Sequence, residues 1–188
     1  MESAKISKGT FYHYFNHKIE LLESIVDIFT LSYSGPLEKI ASSKAMSAID
    51  KLNAFFKLNQ ILKKENQAIL LQVIAIWYKE ENLIYRQRLD NRIKEVVTPY
   101  LVRIIIQGSD EKSFEIVDPH ETAALIVQLI TYMRERFVEE LVKTEPNVQI
   151  MNNIVRICQQ CIEKLLAIPE GSLIIFPAGN IGDYMGSQ

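Results

Sequence analysis

Ala4-Lys5-Ile6-Ser7-Lys8-Gly9-Thr10-Phe11-Tyr12-His13-Tyr14-Phe15-Asn16-His17-Lys18 is the most constrained stretch of the chain. Its spacing predicts a short helix from about Lys8 to Phe15, with Ser7 as N-cap. Phe11 and Phe15 stand four residues apart, so they share a face and should point into a small core. Tyr12, His13 and the Lys8–Gly9 edge then point outward. Gly9 has no side chain, so the backbone there can come close to a partner. Tyr12 and Tyr14 each combine an apolar ring with a hydrogen-bonding tip.

Downstream the spacing stays helical, and glycine and proline serve as punctuation. A second helix is expected from about Lys18 to Tyr33, ended by Gly35-Pro36. A third runs from about Ser47 to Lys64. Ala68 to Tyr78 contains one polar residue, Gln72, and reads as a helix buried almost all round. A long pattern covers Leu83 to Gln107, with Pro99 expected to kink or split it and Gly108 to close it. Asp118-Pro119-His120-Glu121 is a well-formed helix start, capped by Asp118 and continuing to about Lys143. The last helix is expected from about Pro146 to Ile168. Its apolar residues spread wider than one core-facing stripe requires, which suggests a second burial surface. Glu170 to Gln188 reads as an irregular tail, either draped on the body or disordered.

The chain has 188 residues and 21.6 kDa, enough to bury a core without disulfides or a metal. Net charge is −2 and pI about 6.0, so no global basic excess marks a nucleic-acid binder, though a local basic face could hide in that average. No window reaches about 18 uninterrupted apolar residues, so no membrane span is expected. There is no signal-peptide core, and two cysteines are too few for a secreted framework. The cytoplasm is the expected compartment.

The stretch around Ser7 resembles the recognition-helix segment of the tetracycline-repressor (TetR) family of transcription regulators. That segment commonly reads close to A-x-V-S-K-G-T-F-Y-x-Y-F-x-x-K-x-x-L. Gly108, Phe114 and Asp118-Pro119-His120-Glu121-Thr122-Ala123 are similar, more loosely, to the loop and capped helix after the family's long seventh helix. The resemblance implies an all-α fold with a helix-turn-helix DNA-binding unit over 1–34, an effector-binding and dimerisation body over 35–168, and a tail over 169–188. It implies DNA contacts from Ser7, Lys8, Gly9, Thr10, Tyr12, His13, Tyr14 and Lys18. Free amides after Ser7 would face phosphate, Lys8 and Lys18 would neutralise it, and Thr10 could reach a base. It also implies a homodimer through the helices at about 119–143 and 146–168.

Two family helices should precede this segment, but six residues precede Ser7. Two ordinary helices need about 10–14 residues each. The expectation is therefore a recognition helix without its scaffold, either a truncation of a longer regulator or a natural headless form. As given, the chain is expected to bind operator DNA poorly while keeping its dimer and effector pocket.

Phe55, Trp77, Tyr78, Tyr85, Tyr132 and Met133 either line a ligand cavity or pack the core. Arg134 and Arg136 either meet an anionic effector or reach solvent, and Glu139-Glu140 looks like a solvated face. Cys158-x-x-Cys161 reads as a buried pair of small apolar residues rather than a metal or redox motif. His13 and His17 have metal-ligand spacing but no third ligand. No catalytic motif, metal site or cofactor-binding motif is found. The expected function is a ligand-responsive regulator, a repressor released from palindromic operator DNA by a largely apolar small molecule. The alternative is a headless helical dimer that binds ligand or titrates full-length partners.

Overall fold

The computed structural model describes residues 18–65 and 83–176. Among these residues the protein is all-α: five helices and no strand. They are α1 (Lys18–Ser42), α2 (Ala48–Glu65), α3 (Leu83–Asp110), α4 (Pro119–Leu141) and α5 (Val148–Leu165). The expected helices at 8–15 and 68–78 lie outside the described residues.

α3 is the hub, packing against α1, α2 and α4, while α5 packs on α4. Its apolar residues explain why. Val97, Leu101, Ile104 and Ile105 recur at three- and four-residue spacing and are buried. They meet Leu37 and Ala41 of α1 and Leu52, Phe55 and Phe56 of α2 in one core. Each such side chain contributes about 1.5–3 kcal/mol by leaving water.

The expected break at Gly35-Pro36 does not occur: α1 runs through it. Pro36 has no N–H, so one rung of the helix is missing, at a cost of about 3 kcal/mol in an interior position. Packing beyond the proline offsets this. Leu37 is fully buried, Ile40 and Ala41 join the core, and Arg103 donates to both Glu38 oxygens at 2.7 and 3.0 Å. Pro99 likewise does not split α3, because Val97, Leu101 and Val102 are buried on both sides of it.

Gly108 lies within the last turn of α3 rather than past its end. The Phe114 ring folds back directly over it, and the Phe114 amide donates to the Gly108 carbonyl at 3.0 Å. Asp118 caps α4 as expected, accepting from the Glu121 amide at 2.8 Å. α5 starts later than expected, because Asn147 is its cap and accepts from the Ile150 amide at 3.1 Å. It also ends earlier. The Ile168 and Ala167 amides donate to the Glu163 and Lys164 carbonyls, with Ala167 in the left-handed region at φ 54°. A Cβ is strained there, so Ala167→Gly should stabilise the protein by about 0.5 kcal/mol, read as a higher urea midpoint at unchanged slope.

Residues 169–176, the described part of the tail, are draped on the body. Leu173 and Ile175 are buried in the core. Asn53 of α2 grips the strap from both sides, donating to the Ser172 carbonyl at 3.0 Å and accepting from the Ile174 amide at 2.9 Å. Buried Glu163 accepts from the Gly171 and Leu173 amides at 3.0 Å each. Phe176 ends against Phe137 of α4, ring centroids 6.1 Å apart.

Candidate functional site

Ser7, Lys8, Gly9, Thr10, Tyr12, His13 and Tyr14 lie outside the described residues, as do His17, Trp77 and Tyr78. The backbones of Lys18 and Tyr85 fall in α1 and α3, and their side chains are outside the description. The three remaining pocket candidates do not converge. Phe55 is a closed core residue, edge-on to Phe56 with centroids 5.3 Å apart. Met133 is half-buried against the core. Its neighbour Tyr132, about 100° round α4, is 52% exposed and faces away from the core.

Arg134 does not simply reach solvent: its side chain is 27% exposed. It crosses to α3, where its Nη2 stands 2.7 Å from Asp90 Oδ1. The approach lies off the hydrogen-bonding line, and that Nη2 atom is shut off from water. Tyr33 of α1 lies within reach of this charge: burial pushes its hydroxyl pKa up, opposed by the positive charge of Arg134. Two helices thus meet at a partly buried ion pair, with Tyr33 of a third nearby. The sequence signalled Arg134, an arginine in an apolar helix. Asp90 sat unremarked among arginines, and Tyr33 is ordinary in isolation.

Two charged or thiol positions also differ from expectation. Glu139 is solvated and paired with Arg136, but Glu140 is buried. It binds the Lys143 ammonium and receives the Asn147 backbone amide at 3.5 Å, closing the α4–α5 turn where one side-chain cation and one backbone N–H need an acceptor. Cys158 is buried as expected, whereas Cys161 is exposed. They stand three apart, and α5 turns Cys161 just past the core edge. Burial, then the nearby Cys161, pushes the Cys158 thiol up to about 11. In dilute protein at neutral pH, iodoacetamide should therefore label Cys161 and spare Cys158 until denaturant is added. Peptide mass mapping reads this directly, and labelling of native Cys158 would contradict it.

α4 and α5 also carry apolar side chains away from the core. Leu125 and Tyr132 lie seven apart on α4, and Ile150 and Ile157 lie seven apart on α5. Cys161 extends the α5 stripe by one turn. Among the described residues, no group of three or more potential metal ligands is found. No helix among them is long and apolar enough to cross a membrane.

No protein-family model matches the chain, and no curated protein is similar to it.

Proposed function

We propose that the chain is a ligand-responsive transcriptional regulator of the tetracycline-repressor kind, a repressor acting as a homodimer. The observation that carries the reading is a continuity. α1 is described from Lys18, the last residue of the recognition-like segment, and runs without interruption into the core at Leu37 and Ala41. A 25-residue helix spans roughly 37 Å. Such a rod links a DNA-reading segment to a body in which α3 touches α1, α2 and α4. An effector that prefers one placement of α3 shifts α1 with it, and so resets the spacing of two reading heads.

The outward stripes of α4 and α5 support the dimer. Their exposed apolar residues favour coverage by a second copy, and the flanking charges are complementary. α4 exposes Glu121 and Glu139, while α5 exposes Arg156 and Lys164. If this face pairs, labelling of Cys161 slows as protein concentration rises, while that of a small thiol control does not. A rate independent of concentration, across the range where sedimentation shows dimer, places the interface elsewhere.

The function is tested on the protein as its own cells make it. DNA crosslinked to it is recovered and sequenced. The expected result is a shared inverted repeat with half-sites about one helical turn, roughly 10 base pairs, apart. Fragments with no common sequence reject the reading in favour of a helical dimer that binds ligand or partner chains without touching DNA.

A further inference from the structure

We infer that Arg134, with Tyr33, reads the carboxylate of an amphipathic small acid, and that Asp90 is the internal competitor occupying this position when no acid is bound. The inference deepens the ligand-responsive reading and rests on it.

Arg134 differs from Arg92, Arg103 and Arg136. The side chains of Arg92, Arg103 and Arg136 are 42–52% exposed, and their pairs are ordinary surface contacts. The Arg134 side chain is 27% exposed and that of Asp90 12%. A guanidinium presents its N–H donors in a planar fork that matches a carboxylate with two parallel bonds. Asp90 supplies one close oxygen, off the bonding line, and Nη2 is left without a hydrogen bond while sealed from water. The demand of a partly buried cation is thus met by charge but not by geometry. The Arg134 side chain is also the more open member of the pair.

The surroundings set the rest of the ligand. A tyrosine hydroxyl is protonated at neutral pH, and burial pushes that of Tyr33 further up, so it can donate to an anion. Ile93, Ile130, Met133 and Phe137 are half-buried against the core on the same two helices as Asp90 and Arg134. This pattern suits one carboxylate on an apolar body and not a phosphate or a polyanion. An acid that displaces Asp90 breaks the ion pair between α3 and α4, with Tyr33 of α1, one turn before the buried Leu37, nearby.

Straight-chain carboxylates from hexanoate to dodecanoate, each beside the alcohol of equal length, are titrated into the full chain by calorimetry. At least one acid should bind about tenfold tighter than its alcohol, the step that one charge-assisted hydrogen bond supplies. Asp90→Asn should tighten the acid several-fold and leave the alcohol unchanged, an effect that a purely structural ion pair does not produce. Arg134→Met alone leaves Asp90 buried without its cation and is expected to fold poorly. The double variant D90N/R134M removes both charges, should fold, and should bind acid and alcohol alike. Equal binding of acid and alcohol by the unaltered chain, weakening of the acid by Asp90→Asn, or no binding across the series each overturns the assignment. None of these results alters what the crosslinked DNA shows, so the two readings fail separately.

Discussion

Gly108→Ala is expected to destabilise the protein by about 3 kcal/mol or more, beyond the usual cost of overpacking a core. A Cβ at position 108 would overlap the Phe114 ring. Neither side of the contact yields easily. Gly108 is held in the last turn of α3, and its carbonyl accepts from both the Ser113 and Phe114 amides, at 2.8 and 3.0 Å. Phe114 is 4% exposed and belongs to the core. Moving the ring away would also pull the Glu115 amide from the Leu166 carbonyl at 3.1 Å, and so loosen the end of α5. With total stability of order 5–15 kcal/mol, this one methyl removes a large share. Thermal unfolding followed by circular dichroism should show a drop of roughly 6–12 °C, at 2–4 °C per kcal/mol for a chain of this size. Phe114→Leu in the Gly108→Ala background should recover part of the loss by giving up the ring. A melting temperature unchanged by Gly108→Ala would mean that Phe114 does not sit on α3.

The second large effect is expected at Glu163. Its Oε1 accepts from the Gly171 and Leu173 amides and from Gln159. Glu163→Met fills the space but leaves two backbone donors without an acceptor in a buried place, at about 1–3 kcal/mol each. The expected total is about 2–5 kcal/mol, with the strap lifting and Leu173 and Ile175 becoming exposed. Glu163→Gln separates the cause. Its carbonyl oxygen can do what Oε1 does, and Oε2, which its amide nitrogen replaces, has no partner to lose. It should cost much less than Glu163→Met. Hydrogen exchange resolves the question locally: in Glu163→Met the amides of Gly171, Leu173 and Ile174 lose protection before those of α3. Equal costs for Met and Gln would show that the carboxylate charge, not the acceptor, holds the strap.

Much of the helical body was legible from residue spacing, and the departures have physical causes. α2, α3 and α4 fall within a few residues of expectation, because each carries its own apolar periodicity and α4 its own cap. Pro36 misled because a proline speaks only for its own backbone, while Leu37, Ala41 and the Arg103–Glu38 pair act across the fold. Glu140 and Cys161 were assigned to the wrong sides. One is drawn inward by a turn that needs an acceptor, and the other is turned outward by its place on the helix. The strap was readable as apolar but not as bound, since Asn53 meets it across 119 and 121 residues. The same distance problem hides the polar cluster. Arg134 stands out within its helix, but nothing local points from residue 134 to residues 90 and 33. The recognition-like segment is the reverse case. Its function is argued from sequence pattern and helix continuity, and its own side chains fall outside the described residues.

The strap also sets an order in time. Its grip on Asn53 joins a residue of α2 to residues made 119 and 121 codons later. A ribosome adding about 5–20 residues per second needs roughly 6–24 s to travel from codon 53 to codon 175. Throughout that interval the apolar side of α2 exists without Leu173 and Ile175 to complete its cover. The newborn body therefore keeps that apolar side open until the strap is translated, and a slowed or stalled ribosome lengthens its exposure in direct proportion.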